Sequence, residues 1–232
     1  MADAAELVVF GPDGEPDEQR TRRRFEALAE GGGRVVVPGF YGADVNGRIQ
    51  TFPRNGSDIT GALAAEGMGA GLYENWSDVP GLMTADPAIV KDARLIPQVG
   101  YRQMRLIARS GAQVLHPSCL DPVASAGIPT RLRNTLCPDS FGTLVDEHVQ
   151  RFAPCLVGKR RARLPGVDGG ASEVSQISVF GVPEERVGKA AASLEPLLIE
   201  KGDCQTCVYV PKALYERTLQ VLHQRLLSPD PS

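Results

Sequence analysis

Apolar and polar positions follow one another in strand-like and helix-like runs, an order that predicts an α/β architecture. Residues 7 to 10, Leu-Val-Val-Phe, form a short apolar run stopped by Gly11, Pro12 and Gly14. The stretch QRTRRRFEALAE then sets Phe25, Leu28 and Ala29 at helical spacing, so strand, turn and helix succeed one another. Gly31 to Gly33 break that helix. Val35, Val36 and Val37 make a continuous β-branched run ending at Pro38-Gly39, the pattern of a strand buried on both faces of a parallel sheet. Small residues at Thr60, Gly61, Ala62, Ala64 and Ala65 predict a helix packed closely on a sheet. The segment 72 to 90, rich in Pro, Gly and Asp, predicts a long functional loop.

Tyr101, Met104, Ile107 and Ala108 share one helical face, and Gly111 stands where such a helix stops. Val114 and Leu115 read as a short strand leading through His116-Pro117 into a helix, and Ile128, Thr130 and Leu132 alternate as another strand. The first unit ends near Val145, and from Gln150 to about Gly170 the text, with KRRARLPGVDGG, has the look of a linker. Apolar patterning resumes at Val174, with strands at Ile177 to Phe180 and Cys207 to Val210 and helices over 187–198 and 213–227. That β-α-β-α unit of about 60 residues is small enough to need support from the larger unit or another subunit.

Composition narrows the class. With 42% hydrophobic and 23% charged residues among 232, and a net charge of −3, the chain is neither disordered nor drawn as a whole to nucleic acid or anionic membrane. No apolar stretch approaches the roughly 18 residues of a membrane span, and the start, with Asp3 and Glu6, lacks the positive charge of a signal peptide. Five cysteines at 119, 137, 155, 204 and 207 are odd in number and widely spread, which suits a reducing cytoplasm.

Candidate chemistry concentrates at Arg54-Asn55-Gly56-Ser57-Asp58, ahead of the Ala-rich helix. Ser57 or Asp58 can cap that helix, its first N–H groups favour an anion, and Arg54 can grip a carboxylate or phosphate. Ser77-Asp78-Val79-Pro80-Gly81 with Thr84-Ala85-Asp86-Pro87 forms a second polar loop after a strand, so the two loops can flank one crevice. Tyr73 and Trp76 either stack on a base or belong to the core. Cys207 reads as a core thiol rather than as half of a redox pair or zinc site with Cys204, His116 as a structural turn residue, and the basic runs 20–24 and 159–163 as solvated surface. No residue set is read as a metal site.

The segments VVVPGFYGADVNGRIQTFPRNGSDITGALAA, YENWSDVPGLMTADPAIV, YRQMRLIARSGAQVLHP and AGIPTRLRNTLCPDSFGT resemble, in that order, the second half of an aspartate kinase catalytic domain, over about 34 to 144. The 174 to 227 unit is similar to an ACT domain, shortened. The resemblance implies an amino-acid-kinase-like, three-layer α/β/α sandwich, partial, over 1–148, a linker over 149–172 and an ACT-like α+β module over 173–232. It implies transfer of the ATP γ-phosphoryl group to the side-chain carboxylate of L-aspartate, the first step toward lysine, threonine and methionine, with ATP and Mg2+ as cofactors. By the resemblance Arg54, Ser57 and Asp58 bind aspartate, Arg54 and Asp58 are catalytic, and Gly39, Ser77, Asp78, Met83 and Asp86 face the nucleotide. A lysine or threonine effector, a homo- or hetero-oligomer and a cytoplasmic location are further expectations, with neither nucleic acid nor membrane as partner.

Departures from the family pattern are as specific. The opening Lys-Phe-Gly-Gly motif has no counterpart, Ala88 replaces a basic residue, Gln113 a lysine, Met83 a tyrosine and Asn55 a glycine. These changes withdraw charge from an electrostatic mechanism. They favour either an incomplete form of the kinase or a catalytically inactive effector-binding or assembly subunit. A sheet entered midway also leaves an uncovered edge, from which poor solubility or obligate association is expected.

Overall fold

The computed structural model of the chain describes residues 1–112, 114–166 and 174–228; Gln113 and the 167–172 part of the expected linker lie outside the described residues. In chain order the elements are α1 (Ala4–Leu7), β1 (Val9–Phe10), α2 (Glu18–Glu30), β2 (Tyr41–Asp44), β3 (Ile49–Thr51), α3 (Gly56–Gly67), β4 (Tyr73–Ser77), β5 (Gln98–Gly100) and α4 (Tyr101–Arg109). They continue with α5 (Leu120–Ser125), β6 (Thr130–Asn134), β7 (Thr143–Asp146), β8 (Cys155–Ala162), β9 (Val174–Phe180), α6 (Glu184–Ala191), β10 (Leu198–Lys201), β11 (Gln205–Pro211) and α7 (Tyr215–Leu227). The strands form three sheets, ordered β1-β2-β3, β4-β6-β7-β5 and β10-β11-β9-β8.

Local chemistry explains the long helices. Asp17 Oδ1 accepts the Arg20 N–H at 3.0 Å and starts α2, whose Phe25 is fully buried. Gly67 at the end of α3 lets that helix lie against Phe25, since a Cβ there would come within 2.6 Å of the phenylalanine Cβ. Tyr101, Met104, Ile107 and Ala108 are buried along α4, as their spacing predicts, and Gly111 at φ 105° ends the turn that follows.

The central sheet is mixed rather than parallel: β4 runs parallel to β6, β6 antiparallel to β7, and β7 parallel to β5. Asn75, Thr130, Leu132, Thr143 and Val145 alternate into the core beneath the helices, while Glu74, Trp76, Arg131 and Arg133 occupy the opposite, partly open face. There Arg133 stacks on Trp76 at 4.5 Å and Arg131 on Phe141 at 4.7 Å. The fold is of the expected α/β type; helices cover one face of the central sheet and cation–π pairs lie on the other.

Three local expectations are corrected. Val35 to Val37 are extended but form no strand, with Val36 69% exposed and its carbonyl taking only the Ala2 N–H, at 3.0 Å, among the described residues. The apolar run is that of a sheet strand, but among the described residues no strand lies beside it. Val114 and Leu115 form a turn, not a strand. The expected linker contains β8, which pairs antiparallel with β9; its Lys159, Arg160 and Arg161 face solvent at a sheet edge, where charge blocks further pairing, so the sequence shows no apolar period there. With β8 and β10 the second unit is a four-stranded antiparallel sheet with two helices, rather than β-α-β-α.

β8 joins two cores. Cys155 and Val157 point into the core of the first unit, and Leu156, between them, into a core made with Val208, Leu219 and Leu222. The loop after β4 enters that second core through Ala85, Ile89 and Val90. Gln220 of α7 donates to the Ile89 carbonyl at 3.0 Å, and Arg94 to the Leu227 carbonyl.

At this joint Thr84 Oγ1 accepts the Arg94 N–H at 2.9 Å and lies 3.0 Å from His223 Nε2. The hydroxyl and the ring nitrogen share a hydrogen bond in which either atom can donate, since the Arg94 N–H occupies only one of the oxygen's two lone pairs. Burial, and second the Arg94 charge, hold His223 below its ordinary range against the opposing pull of Asp92. The unfolded chain therefore binds a proton that the folded chain refuses, and stability falls as pH drops below about 6.5. Melting followed at pH 7.5 and 5.5 is expected to show a larger loss of Tm for the native chain than for His223→Gln; equal losses would contradict this account.

Candidate active site

The turn before α3 is built for close approach. Phe52 packs on Phe10 with ring centroids 4.9 Å apart, and the chain then reverses through Asn55 in the left-handed region, φ 64° and ψ 28°. Gly56 follows because a Cβ there would lie 2.5 Å from that of Phe52 and 3.1 Å from Phe40 Cα. Neither Ser57 nor Asp58 caps the helix, contrary to expectation; Asn55 holds the cap position without a side-chain bond, and Ser57 and Asp58 stand in the first turn. The first N–H groups of α3 thus have no side-chain acceptor among the described residues.

Gly39 lies on this turn, where a Cβ would come within 3.0 Å of Ser57 Cα. Thr60 Oγ1 clamps the contact, donating to the Gly56 carbonyl at 3.1 Å and accepting the Phe40 N–H at 3.2 Å. Phe40 is held at φ 74°, a conformation a bulky residue adopts only where its surroundings impose it.

From the sheet side, Asn75 Nδ2 donates to Asp58 Oδ1 at 3.0 Å, and Tyr73 Oη donates to the Asp58 carbonyl at 3.1 Å while accepting from Asn75 at 3.2 Å. Burial, chiefly, raises the Tyr73 phenol, which stays a neutral donor. Asn75 went unnoticed in the sequence; its signal was an amide on the inward face of a strand, where side chains are otherwise apolar or hydroxyl-bearing. Cys119 also lies near Asp58. Its thiol donates to the His116 carbonyl at 2.8 Å and is raised first by burial and then by the Asp58 charge, so it is no nucleophile.

Ser77 and Asp78 leave the C-terminal end of β4, two and three residues beyond Asn75. The Ser77 carbonyl accepts Thr135 N–H at 2.8 Å and its hydroxyl at 2.9 Å, pinning this end to β6. The loop then turns at Gly81, φ 126°, where the Thr143 hydroxyl receives the Leu82 N–H at 2.9 Å. Met83 and Asp86 line a cavity of about 550 Å3 between this loop and β8, within the range of small-ligand sites. Asp86 Oδ1 also accepts the Ala88 N–H at 2.9 Å.

The structure therefore brings Gly39, Ser57 and Asp58 together, sets Ser77 and Asp78 at the end of the strand that holds Asp58, and places Met83 and Asp86 on the neighbouring cavity. Arg54 is exposed beside the turn and makes no ion pair among the described residues. Trp76 lies on the open sheet face under Arg133, and Cys207 is a buried core thiol. His116 caps a turn, its Nδ1 receiving the Ser118 N–H at 3.3 Å. No group of three His, Cys, Asp or Glu able to hold a metal occurs among the described residues.

Against known proteins, the sequence pattern of the Amino acid kinase family matches residues 4–134, starting well before the segments that carry the resemblance. Aspartokinase 3 of Bacillus subtilis is 41% identical over 143 residues, 62% of this chain and 32% of that protein. The lysine-sensitive aspartokinase 3 of Escherichia coli is 40% identical over 113 residues, 49% of this chain and 25% of that protein. A crystal structure of E. coli aspartokinase III in complex with aspartate and ADP superposes with a TM-score of 0.82 at 22% identity, covering 98% of this chain and 69% of that one. The chain thus spans about a third or less of the length of these two sequence relatives.

The Tyr73 hydroxyl links β4 to α3 beside the Asn75–Asp58 hydrogen bond. Tyr73→Phe is expected to lower stability by about 1 kcal/mol in urea titration with an unchanged m-value. An unchanged midpoint would show that the Asp58 carbonyl does not depend on it.

Proposed function

The chain belongs to the amino acid kinase family, and on that premise we propose that it forms part of an aspartate kinase, moving the ATP γ-phosphoryl group onto the side-chain carboxylate of L-aspartate. The observation that carries the reading is Asp58, fixed by Asn75 in the open first turn of α3, with Gly39 packed on the same turn. Phosphoryl transfer asks for positioned charge rather than a nucleophilic side chain, and this arrangement supplies position.

Arg54, on the exposed lip of the turn, pairs with a substrate carboxylate, while Ser57 and Asp58 position the rest of the aspartate. A carboxylate oxygen of aspartate then forms its bond to Pγ as the bridging oxygen leaves with ADP, yielding 4-phospho-L-aspartate. Gly39 gives the phosphates close access to backbone, and Ser77, Asp78, Met83 and Asp86 line the nucleotide side. Mg2+ neutralises phosphate charge when bound; Asp58, with Oδ2 left over from its bond to Asn75, and exposed Asp78 suit an ion shared with phosphates better than a protein cage. In this reading the catalytic part covers 1–148, and the ACT-like module takes in β8 besides 173–232, binding a lysine or threonine effector and pairing with another subunit in the cytoplasm. Five unpaired cysteines support that compartment.

One observation favours the second reading, an inactive effector-binding or assembly subunit: the extended segment at Val35 to Val37 lacks a strand partner among the described residues. A hydroxamate assay with aspartate and Mg-ATP separates the two. A fusion carrying a relative's N-terminal catalytic segment ahead of Met1 is expected to form aspartyl hydroxamate. Within it, Arg54→Ala should raise the KM for aspartate about tenfold, and Asp58→Asn should lower kcat about 100-fold. A folded fusion without product would refute the kinase reading, and lysine-dependent stabilisation without nucleotide binding would establish the second.

A further inference from the structure

We propose that the cavity between the loop after β4 and the end of α7 is a site for a free α-amino acid, with Arg94 on its carboxylate, Asp92 on its ammonium group and His223 as a polar contact on the floor. The inference rests on the reading of an amino-acid effector and gives that effector a place, at the joint between the two units. The cavity holds about 500 Å3, within the range of small-ligand sites, and is bordered by Asp92, Ala93, Arg94, His223 and Ser228.

The charges on its rim are available to a ligand. Ala93 packs against the second core, while Asp92 and Arg94 on either side of it are exposed, and neither makes an ion pair among the described residues. Arg94 is instead drawn to α7, where it donates to the Leu227 carbonyl. A guanidinium has five N–H donors, so that bond leaves others for a carboxylate. Both charges act on the His223 ring, which places them around the same floor.

His223 is 2% exposed. Its Nε2 is committed to the Thr84 hydroxyl at 3.0 Å, and its Nδ1 has no hydrogen-bond partner among the described residues. A ring this buried with one nitrogen unpartnered calls for a partner from outside the protein, and the cavity that the ring borders is where one can reach it. Water would satisfy the ring but not the two separated charges. A simple anion would meet Asp92 and a simple cation Arg94, whereas a zwitterion matches both.

The position also suits regulation. A ligand held by Asp92 and Arg94 of the loop and by His223 of α7 adds contacts to the arrangement in which the two are docked, and so stabilises it. Thr84, bonded to His223, is next in sequence to Met83 on the nucleotide side.

The test is calorimetric titration of the full chain with L-lysine and with L-threonine, and with the Nα-acetyl and carboxamide derivatives of whichever binds. Each derivative loses one charge of the zwitterion and is expected to bind about tenfold more weakly. Asp92→Asn should weaken the free amino acid about tenfold while leaving the Nα-acetyl derivative within twofold of native, and Arg94→Gln should do the same with the carboxamide as the unaffected ligand. Asp92 makes no hydrogen bond among the described residues, so melting of unliganded Asp92→Asn should match the native chain. Saturating amino acid should further slow amide exchange at Thr84 and Arg94 in the native chain. Native affinity in both variants, or unchanged exchange at those amides, would overturn this site while leaving the effector reading standing. Failure of the native chain to bind either amino acid would overturn that reading and this inference together.

Discussion

The structure turns on the hydrogen bonds gathered at Thr84. Its N–H donates to the Arg94 carbonyl at 2.8 Å, its carbonyl receives the Leu156 N–H at 2.8 Å, and its hydroxyl connects the Arg94 N–H to His223. One residue thereby closes the loop on itself, ties it to β8 and ties it to α7. Each bond is worth about 1 kcal/mol net, but leaving any of these buried groups unpaired costs more. Ile89 and Val90 add the burial of two branched side chains in the second core, about 1.5–3 kcal/mol each. The loop is accordingly a wedge shared by two cores rather than a free surface segment.

That wedge gives the candidate site its character. On one side Asp58 is set by Tyr73 and Asn75 against a turn in which Asn55 and Phe40 hold unfavourable backbone conformations and Gly39 and Gly56 leave no space for a Cβ. On the other, the loop that follows β4 cannot shift without disturbing α7. Chemistry that depends on placing charges to within a fraction of an ångström is served by such over-determined geometry.

Much of this was legible in the sequence for physical reasons. The helices α2, α4 and α7 bury one stripe each, so their periodicity is written in Phe25, in Met104 and Ile107, and in Leu219 and Leu222. The motifs at 54–58 and 77–86 are legible because they lie on a tight turn and along a loop that borders a cavity. What stayed hidden depended on tertiary partners. Val35 to Val37 carry a buried-strand pattern without a neighbouring strand among the described residues, and β8 hides because its charged residues face solvent beside a bulge that interrupts its apolar positions. The cap role fell to Asn55 through a backbone angle that residue type alone does not report, and Asn75 acquired its role only when β4 was laid beside α3.

The central claim, that the loop is held by the second unit, is tested most directly by amide hydrogen exchange across 82–96. The account predicts slow exchange at the bonded amides of Leu82, Thr84, Arg94 and Ile96 in the native chain, close to that of β6. With His223→Ala/Gln220→Ala, exchange should accelerate throughout 84–94 while β6 stays protected. Fast exchange of these amides in the native chain, or protection unchanged in the variant, would contradict it.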